Sequence, residues 1–186
     1  MFSTKPKKKE SKESCCSTTV KETTSCSSSP ESNGNDCCTP QPKEKVECPT
    51  CHEKAKAVLG KTVEALLSDD AKAKLDCFDG FFYCKTPSCK TIYFRDATVL
   101  TQDGMHVVVG LKEGANPATV CYCFGWTKEK IKAELKESGI TVALEDIKAK
   151  MENPGCSCEI LNPSGGCCLG DTGKAIKELK KELGLS

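Results

Sequence analysis

The chain has 186 residues, a formal net charge of +1 and 16 cysteines. This charge gives no broad basic surface for nucleic acid or an anionic membrane. The charged start, MFSTKPKKKESKES, lacks the apolar segment of a signal peptide, and no apolar run is long enough to span a bilayer. Because cysteines in a reducing cytosol stay as thiols, clustered ones indicate metal binding rather than disulfides. We expect a soluble, cytoplasmic metal-binding protein.

Residues 1–45 are predicted to be a disordered tail. Fifteen of these 45 residues are Ser or Thr, and large apolar side chains are too few for a core. Thiolates select soft ions such as Cu⁺. The adjacent cysteine pairs are therefore candidate soft-metal thiols: Cys15, Cys16, Cys37 and Cys38. The alternative is a flexible spacer in which these cysteines, and Cys26, are incidental.

Residues 46–112 are predicted to form a small β lobe. One helix is expected over TVEALLSDDAKAKL, from the spacing of its apolar residues. Strands are expected at FFYC and TIYF, on either side of the turn KTPS, and at VVVGL. Cys77 is expected to be a buried thiol, and His106 a surface side chain.

Two cysteine turns in this lobe predict a zinc site. They form a C-x2-C and a C-x4-C motif, with ligands Cys48, Cys51, Cys84 and Cys89. Four thiolates close a tetrahedral site, so the ion is structural and His52 is not needed as a ligand. Structural zinc supplies roughly 10–16 kcal/mol of apparent binding energy in small peptides, which a short segment needs for folding. A rubredoxin-like iron, or four thiols that only pack, are the alternatives.

Residues 113–186 are predicted to be helical. Thr127 is expected to cap the start of a helix that ends at Gly139. A second helix is expected over Leu144–Met151, before Pro154 and Gly155. Asp171 or Thr172 is expected to cap the last one.

This segment carries a second set of cysteines. CYCFGW contains Cys121 and Cys123, and CSCEILNPSGGCC contains Cys158 and the adjacent pair Cys167–Cys168. A 2Fe–2S cluster takes four thiolates, two on each iron, whereas C-x-C is too tight for a usual zinc turn. A second zinc site and a redox dithiol are the alternatives. The segment has no histidine to act as a base, which weighs against an enzyme.

Four motifs in order resemble the N-terminal domain of CopZ-type copper chaperones. They are CPTC, FYCKTPSCKTIYF, NPATVCYCFGWT and CSCEILNPSGGCCLGD, within residues 46–172. The resemblance implies an α+β fold, with a small zinc-ribbon-like β lobe followed by a helical 2Fe–2S lobe like bacterioferritin-associated ferredoxin (Bfd).

The resemblance also implies ligands and partners. The zinc ligands would be the four cysteines of the β lobe. The cluster ligands would be Cys121, Cys123, Cys158 and Cys168, with Cys167 as the alternative to Cys168, while Cys156 stays a spare thiol. A copper-transporting ATPase or a redox protein is the implied partner. The chaperones' C-terminal heavy-metal-associated domain is expected to be missing, since the chain ends at Ser186 without its M-x-C-x-x-C loop.

Three functions fit these sequence features. The first is one-electron redox chemistry in copper or other soft-metal homeostasis. The second is a Bfd-type ferredoxin that carries electrons to a partner unrelated to copper. The third is an interaction module in which both metal centres are structural. None of the three requires the protein to be an enzyme.

Overall fold

Four short strands form an antiparallel sheet in the β lobe (residues 46–112). The computed structural model describes residues 46–185, so the predicted disordered tail and its thiols lie outside the described residues. The elements of the β lobe are β1 (Lys56–Ala57), α1 (Gly60–Leu66), α2 (Asp69–Lys72), β2 (Phe82–Tyr83), β3 (Tyr93–Arg95) and β4 (Thr98–Leu100), followed by a 3-10 turn at Gln102–Gly104. The strands lie in the sheet in chain order.

Two elements of the β lobe differ from the prediction. The single helix expected over residues 62–75 is two helices, because the chain is extended at Leu67 and Ser68 caps α2 by accepting a hydrogen bond from Ala71 N. VVVGL forms no strand. The strand is instead β4, which folds back on β3 at Asp96, a residue with a positive φ of 49°. In both places a local turn sets the path of the backbone, and the spacing of apolar residues does not reveal such a turn.

The core of the β lobe lies between the sheet and α1. Its buried side chains include Val63, Leu66, Leu67, Phe81, Ile92, Tyr93, Met105 and Val109. His106 is exposed, as predicted, and Cys77 is half-buried rather than buried, because it lies in the exposed connection before β2.

A strand pair and helices make up the helical lobe (residues 113–185). The elements are β5 (Thr119–Cys121), β6 (Trp126–Thr127), α3 (Lys128–Ser138), α4 (Ala143–Glu152), α5 (Cys158–Leu161) and α6 (Leu169–Glu182). β5 and β6 are antiparallel. α3, α4 and α6 enclose a core of Val120, Ile131, Leu135, Ala143, Ala175, Ile176 and Leu179.

The ends of α3 are confirmed and the start of α6 is corrected. Thr127 caps α3 by accepting from Lys130 N at 3.3 Å, and Gly139 ends it with a φ of 74°. α6 begins at Leu169, so neither Asp171 nor Thr172 is its cap. Because the helix starts earlier, Cys168 occupies its N-cap position.

The described residues combine a sheet and helices, as predicted, within one compact unit. The division of these residues into a β lobe and a helical lobe at residue 112 stays a prediction. Among them, no helix combines the length and the apolar character that crossing a bilayer requires.

Candidate metal centres

The first candidate centre is the cysteine quartet of the β lobe. The sulfurs of Cys48, Cys51, Cys84 and Cys89 all lie within 4.8 Å of one another. Two of the separations are 3.9 Å, between Cys48 and Cys89, and 3.6 Å, between Cys51 and Cys84. A tetrahedral ion with zinc–sulfur bonds of about 2.3 Å separates its ligands by about 3.8 Å. The quartet therefore has the dimensions of a closed four-thiolate zinc site.

Two turns and the strands between them bring these thiols together. The first turn is closed by hydrogen bonds from His52 N to Cys48 O and from Cys48 N to Glu53 O, both 2.9 Å. The imidazole of His52 is exposed and takes no part in the group of four. Cys84 and Cys89 lie in the connection between β2 and β3, where Cys84 N donates to Ile92 O.

The surroundings of the quartet act differently on its members: burial raises the pKa of Cys84, whereas the pKa of Cys51 is lowered. The hydroxyl of Thr86 lies 3.5 Å from the sulfur of Cys51 and lowers the pKa of that thiol to about 6. Lys112 donates from Nζ to the carbonyl oxygens of Cys84 and Thr86, at 2.8 and 2.9 Å. This cation offsets the negative charge of a metal bound by four thiolates. Sequence spacing did not reveal Lys112, because this residue binds backbone atoms of a distant segment.

The second candidate centre is a buried group of thiols in the helical lobe. Cys121 ends β5, Cys123 lies in the turn to β6, Cys158 begins α5, and Cys168 precedes α6. The apolar side chains around them are Phe124, Trp126, Ile147, Met151 and Leu169.

These four thiols interact with one another. The sulfurs of Cys123 and Cys158 are 3.8 Å apart. Cys121 and Cys168 share a hydrogen bond that lowers the pKa of Cys121 to about 7 and raises the pKa of Cys168. Burial raises the pKa of Cys158, and the nearby backbone N–H of Cys168 acts in the opposite direction.

Burial separates these four thiols from their sequence neighbours. Cys121, Cys158 and Cys168 are buried and Cys123 is half-buried, whereas Cys156 and Cys167 are exposed. Cys168 is 1 % exposed. The adjacent thiols of Cys167 and Cys168 therefore face different environments.

Thr172, which the sequence suggested only as a helix cap, is a buried polar residue. Its hydroxyl is the one buried side-chain oxygen or nitrogen in residues 46–185 without a hydrogen-bond partner. It lies one helical turn after Cys168, and its N–H donates to the carbonyl of that residue.

Comparisons with known proteins agree with this arrangement. Residues 45–105 match the CopZ family described as "Zinc binding domain" (zf_CopZ). The protein "Copper chaperone CopZ" of Archaeoglobus fulgidus is 32% identical over 123 residues, which cover 66% of this chain and 58% of the relative. The chain thus spans little more than half the length of that curated relative.

A solved structure extends the likeness into the helical lobe. The X-ray structure of the Archaeoglobus fulgidus CopZ N-terminal domain is 31% identical, with a TM-score of 0.59. The match covers 69% of this chain and 96% of the solved domain. Such coverage exceeds the 61 residues of the zinc-binding match alone. This chain therefore belongs to the CopZ family, and it contains a zinc-binding domain of the kind found at the N-terminus of those proteins.

Proposed function

We propose that this protein serves copper homeostasis in the cytoplasm, with a structural zinc ion and a 2Fe–2S cluster that supports one-electron redox chemistry. The observation that carries the proposal is the presence of two separate groups of thiols, the compact quartet of the β lobe and the buried group of the helical lobe. The name of the Archaeoglobus relative, a copper chaperone, supports copper as the metal that is handled. A copper-transporting ATPase or a redox protein is the corresponding partner.

The zinc ligands in this proposal are Cys48, Cys51, Cys84 and Cys89. All coordination positions of a tetrahedral ion are taken by protein sulfur, so no position is open to a substrate. The ion therefore contributes to folding of the β lobe rather than to chemistry.

The residues of the helical lobe fit a 2Fe–2S cluster. Each iron takes two thiolates, and four thiols lie together here: the sulfurs of Cys123 and Cys158 are 3.8 Å apart, and Cys168 interacts with both Cys121 and Cys158. Thr172, one helical turn after Cys168, has a buried hydroxyl that is available to donate a hydrogen bond. A bound cluster supplies a single electron, the number that separates Cu(II) from Cu(I).

The site is closed to solvent on one side and open on another. Ile147 is fully buried and, with Met151, excludes water from one side of the thiols. Cys123 is half-exposed and leaves one edge open to a redox partner or a metal ion. The same open edge supports a second candidate function, a ferredoxin-like electron carrier unrelated to copper.

Anaerobic purification followed by metal analysis and electron paramagnetic resonance (EPR) spectroscopy tests the proposal. We expect one zinc and two irons per chain, and an EPR signal that appears on reduction with dithionite. Cu(II) added to the reduced protein should remove that signal and yield Cu(I), measured with a Cu(I)-specific chelator. Zinc in both centres after growth with iron contradicts the cluster assignment. An intact cluster that does not reduce Cu(II) favours the electron carrier.

A further inference from the structure

The loop that joins Cys158 to Cys168 packs against the β lobe. Thr62 donates from its hydroxyl to Glu159 O, and Lys56 donates from Nζ to Ser164 O at 3.1 Å. Between these contacts, the hydroxyl of Tyr93 donates to Pro163 O at 2.7 Å. Side chains of the β lobe thus bind three carbonyl groups of a segment whose two ends are the proposed cluster ligands.

Tyr93 makes the buried contact of the three. Its side chain is fully buried in β3, and the hydrogen bond to Pro163 is buried as well. Burial raises the pKa of the Tyr93 phenol, so the hydroxyl stays protonated and remains a donor at neutral pH. Tyr93 follows Cys89 by four residues, and its strand begins directly after the second zinc turn. The contact therefore runs from the zinc-binding part of the sheet to the loop.

The loop itself has little freedom to absorb a shift at Pro163. Asn162 binds across it, donating from Nδ2 to Gly166 O at 2.7 Å and accepting from Ser164 N at 3.1 Å. Gly165 N donates to Asn162 O at 2.7 Å, which closes the turn at Gly165. A segment held by its own hydrogen bonds transmits its position to both ends, where Cys158 and Cys168 lie.

We propose that Tyr93 is a positioning residue for the cluster ligands: from the zinc-binding lobe, its hydroxyl fixes the loop so that Cys158 and Cys168 meet Cys123 and Cys121. This inference rests on the proposed function, because it concerns the ligands of the proposed cluster. The inference also links the two metal centres structurally. The sheet that zinc stabilises would position two of the four proposed cluster ligands, Cys158 and Cys168.

Tyr93→Phe in the full chain tests the inference, with Tyr83→Phe as the matched control. The two rings are neighbours, 5.9 Å apart between centroids and paired in register across β2 and β3. The hydroxyl of Tyr83 makes no hydrogen bond to another described residue, so its loss leaves the loop untouched. Both variants are purified anaerobically and compared with the wild type for zinc content, visible circular dichroism, EPR spectrum and the rate of iron release to a chelator.

We expect Tyr93→Phe to keep its zinc while its cluster spectrum changes. Iron release should be about fivefold faster, the fold-change that corresponds to one buried hydrogen bond of typical strength. Tyr83→Phe should match the wild type. A purely structural hydroxyl would lower the unfolding temperature without altering the spectrum of the bound cluster, so an unchanged spectrum and rate overturn the inference.

A third variant decides the case in which Tyr93→Phe fails to fold. Lys56→Met removes the exposed contact to Ser164 O at the same loop and leaves the core intact. Faster iron release with normal zinc content supports the inference, and a wild-type rate overturns it. Absence of iron from the wild-type protein instead contradicts the proposed function, so the two failures are distinct.

Discussion

Adjacent side chains in this protein differ sharply in their surroundings, and Cys167 and Cys168 are the clearest case. Cys168 lies at the N-cap of α6 among buried thiols, whereas Cys167 is exposed and lines a groove of about 530 Å³. Consecutive side chains project in different directions from a turn, so we expect only one of these two thiols to be a ligand of the proposed cluster. The resemblance to CopZ proteins and the burial of its sulfur both favour Cys168 as the ligand.

Cys168→Ser should lose the 2Fe–2S spectrum or change it strongly, because a buried thiol of the quartet is removed. Cys167→Ser is the matched control and should keep the spectrum with at most a small shift. Absorption and EPR spectra of the anaerobically purified variants measure the difference. Equal loss in both variants would contradict a single ligand at this pair, and the reverse result would make Cys167 the ligand.

Asp146 links two elements through its carboxylate. It accepts from Lys150 Nζ at 2.7 Å and from Trp126 Nε1 at 2.8 Å. The Lys150 ammonium, together with the indole N–H, lowers the pKa of Asp146. A carboxyl group with a lower pKa in the folded state contributes stability above its unfolded pKa, and this contribution is lost as the pH falls through its folded pKa.

Asp146→Asn should therefore be slightly less stable than the wild type at neutral pH, and the difference should vanish in acid. Urea unfolding at several pH values measures this, with the emission of Trp126, the single tryptophan of the chain, as the probe. The variant keeps a side-chain oxygen that accepts from Trp126, so the experiment isolates the carboxylate charge. A difference in stability that is constant with pH would exclude the ionised carboxylate as its source.

At the level of elements, β2 and β3 depend on the turn that carries Cys84 and Cys89. The strands are only two and three residues long, too short for independent stability. Cys84→Ser should therefore unfold or strongly destabilise the β lobe, since structural zinc contributes roughly 10 kcal/mol or more in small domains. Thermal unfolding by circular dichroism and zinc analysis provide the measurement.

Cys77→Ser is the control for that substitution. Cys77 lies in the same lobe, is half-buried and is outside the quartet. It should keep its zinc and an unfolding temperature close to that of the wild type. Native circular dichroism and thermal stability in Cys84→Ser would refute the structural role of the site.

Replacing two glycines by alanine should have opposite effects on stability. A Cβ on Gly110 would lie 2.1 Å from Thr119 O, so the connection between the lobes needs glycine at this position. A Cβ on Gly173, within α6, would meet nothing within 4 Å. We expect Gly173→Ala to stabilise the protein by about 0.5–1 kcal/mol, from helix propensity. Gly110→Ala should destabilise it, and urea unfolding of both variants checks the two signs.

The sequence predicted elements best where the signal was local. Thr127 and Gly139 define α3 through bonds made within one helical turn, and both were identified. The strand predicted at VVVGL was wrong because apolar content does not reveal that a segment lacks a pairing strand. The cysteines of both centres were recognisable as motifs. The contact of Tyr93 with Pro163 joins residues 70 positions apart, so no sequence motif predicts it.

For the whole molecule, both candidate centres lie within residues 46–185. The described residues supply the closed quartet, the buried thiol group of the helical lobe and the contact of Tyr93 with Pro163. Of the remaining cysteines, five precede Val46, namely Cys15, Cys16, Cys26, Cys37 and Cys38. The proposal therefore separates two roles. Residues 46–185 hold both proposed centres, and the thiols before Val46 provide additional soft-metal binding.

A chain that begins at Val46 tests this separation. It should hold one zinc and two irons, with the cluster spectrum and unfolding temperature of the full chain, because no proposed ligand is removed. Its capacity for Cu(I), titrated anaerobically against a chromogenic chelator, should be lower, since thiolates select soft ions. The full chain with its five N-terminal cysteines changed to serine is the control and should behave in the same way. Loss of the cluster in either protein would mean that N-terminal cysteines are ligands, and an unchanged capacity for Cu(I) would remove the reason to regard them as a metal site.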